Sequence, residues 1–355
     1  MTDALSAAKK RALGREVLAS YIAYADSNGL PLILIAGDLL DSRCVTRDTE
    51  DFLLDLFSHT KADIVIAPGN HDPYTPDSPY ALLPFPPNVH IFRTQELSYF
   101  DLPSARIYGY AFTAPNMYSC ALGGFHTENH GKPNLLAAHA DLDAPTSPYC
   151  PTPTSLLVQS GIDYAAFGHI HKCSPLRHAG QTAFCYCGCT VGHDFGETGK
   201  KGALLCEIPD DHPDAPVTVT FLESGAPHFE ERVLTLHGEA APEAAADALA
   251  ALTADCADEK TILRLRLRGH VNKGFFADEK RIASLLPKLA GFKLVNETVP
   301  FDAAALENDV SVAGVFYRRL KADLIGGSDE RREIARRALY YGLSVLDGHD
   351  LTDLG

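Results

Sequence analysis

A buried strand that ends abruptly at a carboxylate constrains this chain more than any other feature. Residues 31–41 read Pro-Leu-Ile-Leu-Ile-Ala-Gly-Asp-Leu-Leu-Asp. Residues 32–36 form an apolar run of the length of a strand covered on both faces. Gly37 then lets the backbone turn sharply, so that Asp38 emerges at the strand's carboxyl end. Open α/β sheets keep their chemistry at that end. The pattern returns three times. Residues 64–67 run into Pro68-Gly69-Asn70-His71-Asp72, residues 135–138 into His139, and residues 164–167 into Gly168-His169-Ile170-His171.

Each motif alone has an ordinary explanation. Gly-Asp-x-x-Asp is commonly a turn, an isolated His139 is commonly a packed or surface histidine, and alternate histidines at a strand end simply share a face. Gly-Asn-His-Asp is harder to dismiss, because a turn uses the Gly-Asn and has no need of the His-Asp pair. Together, Asp38, Asn70, His139, His169 and His171 are nitrogen and oxygen donors with no cysteine among them. That donor set favours manganese, iron or zinc over a structural thiolate zinc site.

Composition sets the outer limits. With 355 residues, 46% of them hydrophobic and 22% charged, the chain reads as a soluble globular protein with one large core and a second, smaller domain. No apolar stretch approaches the ~20 residues a membrane helix needs, and the amino terminus carries no signal-like segment, so the expectation is a cytoplasmic protein without a membrane partner. Among nine cysteines, Cys185, Cys187 and Cys189 alternate along one apparent strand. A soft-metal or redox site is conceivable there, but the usual zinc spacings are absent, and small packing residues in a reduced compartment are the favoured reading. The net charge of −15 repels nucleic acid if evenly spread, so a nuclease of this composition needs a local basic surface.

Along the chain, residues 72–87 are rich in proline and tyrosine. They read as a stiff loop, neither helix nor central strand, that walls the motif cluster; residues 141–154 form a second such loop. Tyr74 and Tyr149 on these loops could stack on bases. Residues 183–188, 202–208 and 217–223 read as short strands that make the second sheet of a two-sheet sandwich, with 209–216 an external loop. Alanine-, glutamate- and glycine-rich sequence at 237–242 marks the expected boundary between domains 1–236 and 237–355. Past it come a helix at 243–252 and a strictly alternating strand at 261–269. Leu263, Leu265 and Leu267 lie on one of its faces, and Arg264, Arg266 and Arg268 on the other. The arginine face is either a phosphate-contacting surface or a solvated face with acidic neighbours. A helix at 278–286 and a strand at 292–296 complete a small β-α-β unit. A last helix, 328–346, opens on Ser328 and carries Arg331, Arg332, Arg336 and Arg337 beside an apolar stripe.

Gly-Asp-Leu-Leu-Asp, Gly-Asn-His-Asp, the isolated His139 and Gly-His-Ile-His, in that order, resemble the calcineurin-like metallophosphoesterases. Tyr186-Cys187-Gly188-Cys189, then Phe195, Glu197 and Lys201-Gly202, is similar to the corresponding segment of the SbcD-type DNA repair exonucleases, and the likeness extends to the tail around 312–348. The resemblance implies an α/β fold: a four-layer αββα metallophosphoesterase sandwich with a small α+β C-terminal domain. It implies two divalent ions, Mn2+ in the first instance. Asp38 would bridge both ions, Asn70, His139 and His169 would complete one, and His171 would belong to the other. His71 would stabilise the transition state or protonate the leaving oxygen, Asp72 would orient its imidazole, and Asp41 would stand behind the ligands. Arg264, Arg266, Arg268 and Arg336 are the candidate DNA contacts. The implied partners are DNA, an SbcC-type coiled-coil ATPase and a second copy of the chain.

In that family a first strand ending in Asp-x-His precedes the first helix and completes the second ion's site. Here Met1-Thr2-Asp3 leads straight into a helix with apolar positions Leu13, Val17, Leu18, Tyr21, Ile22 and Ala25. The sequence therefore reads as short of one strand at its amino end, or as having lost half of one metal site, with weak or absent activity as written. Three functions follow: a metal-dependent DNA exo/endonuclease subunit, a catalytically impaired DNA-binding scaffold for the ATPase, or a phosphodiesterase or phosphatase acting on small molecules.

Overall fold

The computed structural model describes residues 7–41, 44–128, 130–209, 216–239, 241–256, 258–271, 277–298 and 301–346. Two compact units share the chain and divide between His228 and Phe229.

The first unit begins with helix α1 (Ala7–Ser27), which ends at Asn28 and Gly29; Gly29 takes a φ of 64°, which L side chains avoid. Strand β1 (Leu32–Ile35), helix α2 (Arg47–His59) and strand β2 (Asp63–Ile66) follow. A one-turn helix α3 (Pro79–Leu82) and strand β3 (Val89–Ile91) come next. The proline-rich loop thus contains a helical turn, contrary to the sequence reading. Pro79 occupies its first position, where a missing N–H costs nothing. β1, β2 and β3 pair in parallel, with Leu32 opposite Asp63 and Ile35 opposite Ile66, so Asp38 and Asn70 leave the sheet at the same end.

A six-stranded sheet follows, built from β4 (Ser98–Asp101), β5 (Arg106–Gly109), β6 (Asn134–His139), β7 (Tyr164–Gly168), β8 (Arg177–Ala179) and β9 (Thr182–Tyr186). Its order is β4-β5-β6-β7-β9-β8. β6 and β7 are parallel, with His139 opposite Gly168, so the last two motifs also emerge side by side. The four motifs therefore come from two sheets, two from each. Strands β10 (Gly202–Glu207) and β11 (Thr218–Glu223) form a separate antiparallel hairpin, whereas the sequence reading placed them in the second sheet; residues 210–215 between them lie outside the described residues.

Alternation along β2 shows why the sheets stack. Ile64 and Ile66 point one way, against Ile22 of α1 and Leu53 and Phe57 of α2. Val65 points the other way, into a core shared with Ile107, Leu135, Ala137, Tyr164 and Ala183 of the second sheet. Ile64, Val65 and Ile66 are all 0% exposed, which requires cover on both faces. The outer face of the second sheet, with Leu136, Ala138, Phe167 and Phe184, is closed by Met117, Leu122, Leu157 and Ile162. Those come from loops and a 3-10 turn (Thr154–Leu157), so among the described residues of this unit this layer is irregular and helices cover only the first sheet.

The second unit starts inside β12 (His228–Glu239), a strand that the composition-based boundary at 236/237 cut through. It belongs to a three-stranded sheet, β12-β13-β14, with β13 (Thr261–Val271) and β14 (Gly291–Asn296) parallel. Helices α4 (Ala246–Thr253) and α5 (Glu279–Ala283) connect the strands, and Leu249 and Ile282 pack on Leu265 and Leu267. Helices α6 (Ala303–Asn308), α7 (Val312–Gly326) and α8 (Asp329–Leu346) follow, joined through Tyr317, Leu339 and Leu343. The α8 cap is the one expected: the Arg331 N–H donates to Ser328 Oγ at 3.4 Å. Residues 347–348 of the tail segment lie outside the described residues.

Candidate metal centre

Interlocking glycines bring the two sheets' motifs together. A Cβ on Gly37, where φ is 89°, would stand 2.3 Å from His139 Nδ1, and one on Gly168 would stand 1.7 Å from the Ala36 carbonyl oxygen. Each motif's missing side chain is space used by another motif. Asp38 and His169 carry positive φ, 54° and 92°, the kind of backbone strain that collects at functional sites.

His139 shows what the cluster is built to hold. Its ring is 1% exposed, and Nδ1 lies 2.9 Å from the Ala36 carbonyl. A carbonyl only accepts, so Nδ1 carries the proton and Nε2 turns a lone pair inward. That lone pair meets Asn70 Oδ1 at 2.8 Å and Asp38 Oδ2 at 3.4 Å. Nδ1 of His169 lies 3.3 Å from the same Asn70 oxygen, and the two imidazoles stand edge to face with centroids 5.2 Å apart. With its proton on Nδ1, His139 has none to give Asn70 Oδ1 or Asp38 Oδ2; such acceptor pairs are repulsive in apolar surroundings, and a cation among them reverses the sign. The donor set Asp38, Asn70, His139 and His169 thus fits a divalent ion of borderline hardness.

Burial pushes the Asp38 carboxyl up, opposed by the His71 backbone N–H, which donates to Asp38 Oδ1 at 2.9 Å. Burial lowers His139 to about 4. Its folded value lies below the unfolded one, so the unfolded chain takes up the proton first as pH falls. Stability is therefore present above about 6.5 and is lost as pH drops towards about 4. We expect the urea midpoint of the metal-free protein to fall between pH 7 and pH 5, and the fall to shrink in His139→Gln.

His71 is exposed at the mouth of the cluster. Asp72 corrects the sequence reading. Its carboxylate does not orient His71; it is 1% exposed and accepts from the N–H groups of Asp38 (3.0 Å), Gly69 (2.7 Å) and Leu40 (3.0 Å) and from Tyr80 Oη (2.6 Å). These four donors fill its acceptor sites and tie the first two motifs together. Asp41 lies exposed at the end of its turn. Tyr149 packs against His169, centroids 4.6 Å apart and planes tilted by 41°, instead of standing open to a base, and half-buried Tyr74 packs against the core.

Sequence reasoning left two acids without roles. Asp141, two residues past His139, places Oδ2 3.9 Å from His169 Nε2. Glu197 hydrogen-bonds His171 Nδ1, and against the burial that would raise it, His171 and the His193 N–H hold its carboxyl at about 2. His171 itself is raised, first by that hydrogen bond. It lies near enough to Asp38 for their charges to interact.

In the second unit, the arginines of β13 have acidic neighbours. Arg264 and Arg266 pair with Glu231 at 2.8 and 3.0 Å, and Arg266 and Arg268 with Glu297 at 2.6 and 2.7 Å. Arg336 pairs with Glu333 at 3.2 Å. A cleft of about 790 Å³ brings Arg266, Arg268, Arg332 and Arg336 together, with Glu297, Asp329 and Glu333; Arg264 is not part of it. No helix among the described residues is long and apolar enough to cross a membrane.

Residues 14–173 match the family described as calcineurin-like phosphoesterase. The chain is also 32% identical over 190 residues to a protein of Bacillus subtilis (strain 168) named uncharacterized metallophosphoesterase YhaO; the match covers 50% of this chain and 45% of that protein. It thus spans less than half the length of that relative. The match over 14–173 takes in the ends of both sheets and every residue from Asp38 to His171 discussed above, so this part of the chain is similar to the calcineurin-like phosphoesterases where the candidate metal ligands lie.

Proposed function

We propose that the chain is a metal-dependent phosphodiesterase acting on DNA ends, a nuclease subunit that works with manganese and with a coiled-coil ATPase of the SbcC type. The observation that carries the hydrolytic part is the His139 Nε2 lone pair facing Asn70 Oδ1 and Asp38 Oδ2 across 2.8 and 3.4 Å. Bound divalent ions supply a water of lowered pKa and positive charge to clamp a phosphoryl group. Asp38, Asn70, His139 and His169 would hold one ion, and Asp38 and His171 would contribute to a second. Asp38 also fixes the His71 backbone, leaving an exposed imidazole to protonate the departing oxygen. Asp72 positions both loops through their N–H groups.

DNA as substrate is supported by the likeness of the 186–202 segment to SbcD-type exonucleases and by the cleft with four arginines and three acids. A second reading, a phosphodiesterase for small molecules, is favoured by the pairing of Arg264, Arg266 and Arg268 with glutamates, which phosphates would have to displace. Assaying the purified chain with Mn2+ on end-labelled duplex DNA and on bis-p-nitrophenyl phosphate separates the two. The nuclease reading expects cleavage of both, DNA binding that weakens steeply with salt, and a ~10²–10⁴-fold loss of cleavage in His71→Ala with DNA binding retained. Hydrolysis of the small diester with DNA neither bound nor cut would select the second reading. DNA binding without hydrolysis of either substrate would leave a scaffold.

A further inference from the structure

Three side chains beside the proposed catalytic centre form a donor set of a different kind. The ligand atoms of His171, Cys189 and Glu197 all lie within 4.8 Å of one another, the one such group of three among the described residues. His171 Nδ1 is hydrogen-bonded to Glu197 Oε1, and Cys189 Sγ lies 4.0 Å from Glu197 Oε2 and 3.4 Å from the His171 carbonyl. The geometry points to a second cation site here, of the zinc class, with imidazole, thiolate and carboxylate as its protein ligands.

A histidine–carboxylate pair is by itself an ordinary ion pair. Here the remaining oxygen of the same carboxylate is turned towards a thiol, and all three groups sit outside helices and strands, on three separate segments. Glu197 is anchored by the His193 N–H, which donates to Oε2 at 2.7 Å. Lys201 Nζ donates to the carbonyls of Thr198 (3.2 Å) and His171 (3.5 Å), tying together the segments that carry Glu197 and His171. The donors are thus preorganised on three sequence segments. Nitrogen, sulfur and oxygen together suit zinc, whereas the all-N/O set at Asn70 and His139 suits manganese as well. Three protein ligands leave a fourth tetrahedral position for water or a phosphoryl oxygen, the arrangement of an open zinc site. Cation entry releases the Cys189 thiol proton and the proton between His171 and Glu197, so uptake is accompanied by acidification.

The site shares only His171 with the two-ion reading above. The test is a titration of the metal-free full chain with cobalt(II) chloride, followed by near-ultraviolet and visible absorption. Thiolate-to-cobalt charge-transfer absorption is expected in the wild type and in Cys185→Ser and Cys187→Ser, and is expected to vanish in Cys189→Ser. Glu197→Gln is expected to weaken the cobalt affinity behind that absorption at least ~10-fold. On the unsubstituted protein, zinc chloride is expected to slow alkylation of Cys189 by iodoacetamide several-fold, read by peptide mass. No charge-transfer band, a band that survives in Cys189→Ser, or no zinc protection overturns the site. A protein that shows the band yet hydrolyses no phosphodiester would fail the catalytic reading and leave this site standing. Manganese-dependent hydrolysis without the band would do the reverse.

Discussion

Asp72→Ala is expected to destabilise the first unit by about 3–5 kcal/mol, read as a lowered urea midpoint at unchanged slope. The substitution leaves the N–H groups of Asp38, Leu40 and Gly69 and the hydroxyl of Tyr80 facing a hole with no acceptor. Tyr80 is 5% exposed and Leu40 7%, so water does not replace the lost oxygens cheaply. Asp72→Asn is the more informative variant. Its amide oxygen can keep the Asp38 and Gly69 donors, but its NH2 group then points at the Leu40 N–H, donor against donor. A loss of about 2 kcal/mol is expected. If Asp72 instead acted by orienting His71, the amide would leave the urea midpoint where it is and alter the pH dependence of hydrolysis. An unchanged midpoint would therefore restore the role first read from the sequence.

How much was legible follows from what each signal encodes. The strand ends were readable because an apolar run followed by glycine and a polar donor specifies both a buried strand and the direction its last residue faces. That β1 and β2 lie in one sheet and β6 and β7 in another was not readable, because burial on both faces does not say which strand is the neighbour. The role of Asp72 was misread through adjacency: it follows His71 in sequence, yet the turn sends its carboxylate inward to the backbone of the previous motif. The alternation of Leu263 to Arg268 was plain, but the acids opposite the arginines, Glu231 on β12 and Glu297 just past β14, depend on strand pairing, and β12 was not read from the sequence. The contacts among His171, Cys189 and Glu197 span 18 and 26 positions, a distance over which residue spacing carries no geometry. The α8 cap, by contrast, is local, and Ser328 was readable as such.

Asp38→Asn is expected to move function and stability in opposite directions. The side chain sits where both sheets' motifs meet, with Oδ1 accepting from the His71 N–H and Oδ2 3.4 Å from His139 Nε2. An amide keeps the first contact through its own oxygen and can donate to the His139 lone pair through nitrogen, so the metal-free variant loses a buried negative charge and gains a hydrogen bond. Burial already pushes this carboxyl upward, which means the folded protein holds the ionised form at a cost. The metal-free variant should therefore be as stable as the wild type or up to about 1 kcal/mol more stable. Ion binding should suffer in proportion to the lost charge, with affinity for Mn2+ reduced at least ~100-fold by calorimetry and phosphodiester hydrolysis reduced about 10³-fold. A variant destabilised by several kcal/mol when metal-free would mean that Asp38 is a structural anion held by its donors. A variant that binds Mn2+ normally would remove the carboxylate from the ligand set, and the strain at its φ of 54° would then have no functional counterpart.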